Sequence, residues 1–476
     1  MGVELVVADS AGDGALCVDV NRMRPFARRR NRFLFPVPHG NQADGIQSLC
    51  MSSLKTVAIF ADGGFLSHVT RSFEVGRTVA RCFGHRVVFV GEGAYMHIPR
   101  NAGFEVRPVY TVDREVTMKL IRRAGLCSLS WWRDECDRLV RSDLDVLGEL
   151  KPDLVVGDMR WSLCTSARIL KIPYVAITNA AWTRWYAEPI ELPAGHLSTH
   201  LLGDRLSRRF FPKVKNLLTW YYSLGYTDLR KRYGLPPVNS IFDLIEGDMT
   251  LLADLPEYMP LTADAPPSFR YVGPILWQAD LPVPSWLARI DPNRPTLYFT
   301  MGSTGDTQFF DEAIRVFGDS DYQILITTGD QVKIPNPPSN IFVEDYAPGQ
   351  VLMAVADAVV SHGGNGTVYQ ALSSGVPTIG FPSIFDQEIN MQRVCALGAG
   401  VRMWRSQYSA LSLKRAVETV LGDPSYRTRC AALSQRIEHM GGQRSAALHI
   451  DHLLNSRRPD DQPSDVTALV RDLPAA

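Results

Sequence analysis

The chain has no charge of either sign to spare. Lys+Arg and Asp+Glu both number 50 in 476 residues. That balance excludes the basic footprint by which nucleic-acid binders hold phosphate backbones. No run reaches 18 consecutive apolar residues, so no membrane-spanning helix is expected. Cysteine is scarce and scattered: Cys17, Cys50, Cys82, Cys127, Cys136, Cys164, Cys395 and Cys430 form no CxxC pair. A disulfide framework or thiolate metal site is therefore not expected, and a reduced cytoplasmic setting fits. His196 and His200 are four apart, but the glutamate that would complete HExxH is missing, and no metal is assigned. Asp319 and Asp321 stand two apart, but in a loop before a strand, which reads as turn chemistry and not as a divalent-cation site. Disorder of the whole chain is excluded too, because 45% of residues are apolar.

The two ends differ from the rest. Arg24, Arg28, Arg29, Arg30 and Arg32 cluster, and Pro36, Pro38, Gly40 and Gly45 follow without an apolar segment behind them. A secretory signal is not expected from that order. Residues 1–50 are expected to be a disordered extension, with a basic arm on acidic lipid as the alternative. The tail 456–476 reads the same way.

Between the ends, an α/β rhythm runs twice. Thr56 to Phe60, Arg86 to Val90, Leu154 to Gly157 and Pro173 to Ile177 are short apolar runs expected as buried strands. Val69, Phe73, Gly76, Ala80 and Phe83 recur at helical spacing after the first of them. Prolines crowd residues 256–295, as an extended linker requires. The rhythm restarts with Thr296 to Phe299, Gln323 to Thr327, Ile341 to Glu344 and Ala358 to Val360. The pattern predicts a parallel sheet covered on both faces in each half. The expected division is 51–265, a linker at 266–290, and 291–455. The stretch from Ala181 to Met249 is aromatic and irregular, with Trp182, Trp185, Tyr186, Phe210, Phe211, Trp220, Tyr221 and Tyr222. Most of these are expected in a core and a helical layer, and a few can line an apolar acceptor pocket.

The most informative run is Ala358-Val-Val-Ser-His362-Gly-Gly364-Asn365-Gly366-Thr367. It reads as a strand, a glycine turn and a helix start. Asn365 and Thr367 can cap that helix, and Gly375 can stop it. A helix N-terminus after a glycine turn suits a phosphate, at the strand edge where α/β folds place ligands. The wider run, Tyr346-Ala347-Pro348, His362-Gly363-Gly364, Gly375-Val376-Pro377 and Asp386-Gln387 with Asn390, resembles the donor signature of the UDP-glycosyltransferase superfamily, including its macrolide-glycosyltransferase-like bacterial branch.

That resemblance implies a GT-B fold, two Rossmann-like domains facing across a cleft. It implies an enzyme that moves a sugar from a nucleoside diphosphate to an acceptor hydroxyl with inversion, using no metal and no cofactor beyond the nucleotide sugar. His362 would contact the diphosphate, with Ser303, Thr304 and the N–H groups near Gly366 and Thr367. Asp386 and Gln387 would contact sugar hydroxyls. Tyr346 stands where tryptophan usually stacks on the base, and Gln370 where glutamate usually holds the ribose. UDP, dTDP and GDP donors therefore all stay open. His68 matches the family's base, although the flanking glycine and proline are replaced. Asp158 matches the aspartate that orients it. The acceptor would be a small lipophilic molecule or a lipid, with peripheral membrane contact allowed. A non-catalytic nucleotide-sugar-binding partner and a GT-B-fold epimerase are the alternatives.

Overall fold

The computed structural model describes residues 54–122, 127–190, 197–302, 307–404 and 408–456. The N-terminal extension, nearly all of the tail, Ser303 and Thr304 lie outside the described residues.

Seven parallel strands form the first sheet. They are β1 (Thr56–Ala61), β2 (Arg86–Val90), β3 (Glu105–Arg107), β4 (Leu154–Asp158), β5 (Tyr174–Thr178), β6 (Met249–Leu252) and β7 (Phe269–Tyr271). Their order is β3-β2-β1-β4-β5-β6-β7. Six more form the second sheet: β8 (Thr296–Thr300), β9 (Gln323–Thr327), β10 (Ile341–Glu344), β11 (Ala358–Ser361), β12 (Thr378–Gly380) and β13 (Gly400–Arg402). Their order is β10-β9-β8-β11-β12-β13. Every pairing in both sheets is parallel. Each sheet thus follows the 3-2-1-4-5-6 doubly wound order. The strand order reverses between β1 and β4, and again between β8 and β11. At those two points the helices leave on opposite faces and open a crevice. The expected pair of Rossmann-like domains is what the chain builds.

The strands form where apolar residues run unbroken, because both faces are covered. Val57, Ile59, Val156, Val175 and Leu251 are fully buried under the first helix, Leu66–Phe83. A third buried cluster joins the halves: Leu252, Leu255 and Tyr258 pack with Val368, Tyr369, Leu372, Ile389 and Met391.

Three details correct the sequence reading. The aromatic stretch read as irregular contains a 36-residue helix, Leu197–Arg232. Gly203, Pro212 and Gly225 hide it, since each breaks a helical pattern. The proline-rich linker contains β7, an edge strand of three residues on β6. The last helix, Gln443–Asn455, returns from the second half to the first. Ala446, Ala447, Ile450 and Leu453 pack there, and His85 Nε2 lies 2.8 Å from Asp451 Oδ1.

Candidate active site

The two reversal points face the same cleft. At the first, His68 sits in the opening turn of the helix that follows β1, and Asp158 ends β4, paired in register with Ala61. His68 Nδ1 lies 2.8 Å from Asp158 Oδ1. The imidazole is 24% exposed and the carboxylate is fully buried. The ring therefore keeps one nitrogen on the protein and leaves Nε2 for the cleft.

Asp158 has a second partner. Arg71, one turn after His68, donates from Nε to Oδ2 and from Nη2 to Oδ1, both at 2.6 Å. Burial alone would push the Asp158 carboxyl up. The Arg71 charge and hydrogen bonds, helped by His68, outweigh it and hold the carboxyl below its ordinary value. Asp158 is thus ionised, but most of its charge is answered by the guanidinium. Its service to His68 is chiefly a fixed acceptor that keeps the proton on Nδ1.

The network continues along the carboxyl ends of β5 and β6. Arg71 Nη1 donates to Asn179 Oδ1 at 2.8 Å. Asn179 Nδ2 donates to Asp254 Oδ1 at 2.9 Å. Asp254 is fully buried and also accepts from the Ala180 N–H at 2.7 Å and the Tyr369 hydroxyl at 2.8 Å. Tyr369 belongs to the other half, on the helix Asn365–Ser373. A continuous polar chain therefore joins His68 to the helix that starts in the glycine turn. Sequence reading missed Arg71, Asn179, Asp254 and Tyr369. One signal was present: a polar residue follows, or closes, each of three successive buried strands.

At the second reversal point, β11 ends in Ser361 and His362 follows. The His362 ring lies between Gly302 and Gly364. A Cβ on Gly302 would stand 2.5 Å from ring atom Cε1, and one on Gly364 would overlap Nε2. Gly302 also has φ +55°, open to glycine without strain. Burial pushes His362 down to about 4, so the ring is neutral, and its Nδ1 is buried without a hydrogen-bond partner. The helix Asn365–Ser373 starts at Gly364 with no side-chain cap. Asn365 and Thr367 are inside it instead of capping it. Its first N–H groups are left open to the cleft beside Gly366, around which a Cβ would meet nothing within 4 Å. Gly375, at φ +67°, follows its end as expected.

The remaining sequence candidates are placed as follows. Asp386 opens the helix Phe385–Ala396 and is half-buried on the cleft. Desolvation pushes its carboxyl up to about 6, while the charges of His68 and Arg71 are near enough to pull it down. Gln387 is buried, and its Oε1 accepts from Ser383 N and Oγ at 2.9 and 3.0 Å. That bond braces the loop carrying Asp386. Asn390 Nδ2 donates to Gly363 O at 3.2 Å and steadies the glycine turn. Tyr346 is exposed, its hydroxyl on Gly329 O at 2.9 Å. Ala347 is half-buried against Leu352 and Val359. Gln370 Nε2 donates to Trp277 O at 3.1 Å, in the linker. Phe385 touches Trp182 and Phe211, with ring centroids 6.1 and 5.8 Å apart, so an aromatic patch borders Asp386. Among the described residues, no group of three His, Cys, Asp or Glu is placed to hold a metal. None of their helices is long and apolar enough to cross a membrane.

The His68 imidazole, held on Asp158, thus belongs to one half, and the uncapped helix N-terminus and Asp386 belong to the other. Comparison with known proteins gives relatives that are glycosyltransferases. The family model for the C-terminal domain of erythromycin biosynthesis protein CIII-like proteins matches residues 311–440. A PGL/p-HBAD biosynthesis glycosyltransferase of Mycobacterium tuberculosis is 31% identical over 384 residues, 80% of this chain and 88% of that protein. A PGL/p-HBAD biosynthesis rhamnosyltransferase of Mycobacterium bovis is 30% identical over 431 residues, 90% of this chain and 89% of that protein. Among solved structures, a calicheamicin glycosyltransferase matches with TM-score 0.65 at 21% identity, covering 85% of this chain and 99% of that one, which concerns the fold. The chain belongs to the GT-B glycosyltransferases of the UDP-glycosyltransferase superfamily, together with these mycobacterial enzymes.

Proposed function

We propose that this glycosyltransferase is inverting and metal-independent. It moves a sugar from a nucleoside diphosphate to a hydroxyl of a lipophilic acceptor. The observation that carries this reading is the His68 Nδ1 to Asp158 bond of 2.8 Å, which leaves Nε2 toward the cleft where the donor turn lies. A neutral Nε2 takes the acceptor proton as its oxygen attacks the anomeric carbon. The nucleoside diphosphate leaves with the bonding electron pair from the opposite face. Attack from one face and departure from the other invert the configuration.

The leaving diphosphate needs positive partners. The uncapped N–H groups of the Asn365–Ser373 helix and the helix dipole supply them, and His362 adds a buried donor. This is the work a divalent ion does elsewhere. Asp386 would accept from sugar hydroxyls. The rhamnosyltransferase name of one relative favours a deoxyhexose donor. The lipophilic acceptor is supported by the aromatic border of Phe385, Trp182 and Phe211.

The test uses UDP-, dTDP- and GDP-sugars with EDTA present. Release of free nucleoside diphosphate from one of them is expected without added acceptor. Activity that disappears with EDTA and returns with magnesium would refute metal independence. Retention of anomeric configuration, read by NMR, would refute the base mechanism.

A further inference from the structure

Among the described residues, nothing covers the outer face of the long helix Leu197–Arg232. Leu206 is 51% exposed, Phe210 44%, Val214 47%, Leu217 61% and Trp220 47%. Their spacings of four, four, three and three put all five on one stripe of the helix. Scattered exposed apolar residues are ordinary, but five in line are not.

The middle of the same helix is positive: Arg205, Arg208, Arg209, Lys213 and Lys215 lie between Asp204 and Asp228, the two acidic residues of the helix, and Asp228 is paired with Arg133. At 100° per residue, positions 205, 209 and 213 run along one border of the apolar stripe. Lys213 is exposed. A basic border beside an apolar stripe is the signature of a helix that lies in the headgroup plane of a bilayer, where anionic lipids attract the cations. A protein partner would need complementary carboxylates as well as an apolar groove. An anionic bilayer supplies both at once.

The opposite face of this helix reaches the cleft, through Phe211 on Phe385 beside Asp386. We propose that the apolar stripe of Leu197–Arg232 docks the enzyme on an anionic lipid surface, with the acceptor side of the cleft at the membrane. A lipophilic acceptor then enters from the bilayer without crossing water. The idea rests on the lipophilic-acceptor reading above and names where that acceptor is met.

The test is flotation of the full chain with phosphatidylcholine vesicles, with and without phosphatidylglycerol. Wild type should float with the anionic vesicles, weakly with the neutral ones, and less as salt rises. The double variant Leu206→Glu, Leu217→Glu should lose at least about tenfold in bound fraction, since burial of even one leucine is worth that factor. Its donor hydrolysis in solution should equal that of wild type, which shows it folded. Absence of binding to anionic vesicles, or binding unaffected by the double substitution, overturns the proposal. So does sedimentation showing a wild-type dimer that the double variant dissociates, because a second copy would then cover the stripe. If vesicle binding holds while no sugar nucleotide is hydrolysed, the catalytic reading fails and the docking surface stands.

Discussion

Replacing Asp158 by asparagine should cost more than the loss of one charge. Oδ1 accepts from both His68 and Arg71, and Oδ2 accepts from Arg71 Nε. An amide has one oxygen and one NH2 group. If the NH2 takes the Oδ2 position, it meets the Arg71 Nε–H, donor against donor. If it takes the Oδ1 position, it meets Arg71 Nη2 and forces His68 to accept at Nδ1. The proton then sits on Nε2, and the base is lost. The guanidinium is left buried beside a neutral partner in either case. Breaking a buried ion pair costs about 3–5 kcal/mol. At roughly 2–4 °C per kcal/mol for a domain near this size, the melting temperature should fall on the order of 10 °C. Turnover should fall about 10²–10⁴-fold, the usual share of a general base; in serine proteases the same change costs about 10⁴ through the wrong tautomer. Nucleoside diphosphate affinity, measured by titration calorimetry, should stay near wild type, because the donor turn is in the other half. Wild-type turnover together with an unchanged melting temperature would refute the Arg71–Asp158–His68 arrangement.

Other outcomes follow from the same structure. Gly364→Ala sets a methyl against the His362 ring and should weaken nucleoside diphosphate binding at least tenfold in calorimetry; unchanged affinity would place the donor elsewhere. Tyr369→Phe leaves Asp254 without one of its donors and should lose about 1–3 kcal/mol in denaturant unfolding, the cost of an unsatisfied buried group. If Tyr369 also positions the dyad, its turnover should fall with substrate KM unchanged. His449, buried and pushed down to about 4, stays neutral in the fold and takes a proton when unfolded. Its contribution is present above its ordinary 6.5 and is lost as pH falls toward 4. His449→Gln should therefore gain on wild type between pH 7 and pH 5 in urea midpoints. The comparison of the two proteins removes the opposite trend from Asp386 and Glu246, which burial raises to about 6 and about 7.

Eight of the thirteen strands among the described residues were legible, because parallel strands covered on both faces are largely apolar. Thr296–Thr300 and Ala358–Ser361, buried at every position, show it directly. The glycine turn was legible because only glycine clears room around His362. The His68–Asp158 pair was reachable only through resemblance, since the residues are 90 positions apart. Arg71 carried a signal, one turn beyond His68, but a lone arginine on a helix is usually solvated. Asp254 was marked only as a polar residue after a buried strand, and Tyr369 was not marked at all. Their bond joins positions 115 apart in different halves, which no local pattern reports. The long helix escaped for the opposite reason: its glycines and proline argue locally against an element that tertiary packing sustains. Asn365 and Thr367 misled because good capping residues stand one and three places inside the helix, and the true cap is Gly364.

The central claim is that His68 removes the acceptor proton while the other half holds the donor. His68→Ala with a sugar nucleotide and an acceptor hydroxyl measures it directly, as turnover and nucleoside diphosphate affinity side by side. Turnover should drop about 10²–10⁴-fold with affinity nearly unchanged. Wild-type turnover in His68→Ala would contradict the account, since another base would then be doing the chemistry.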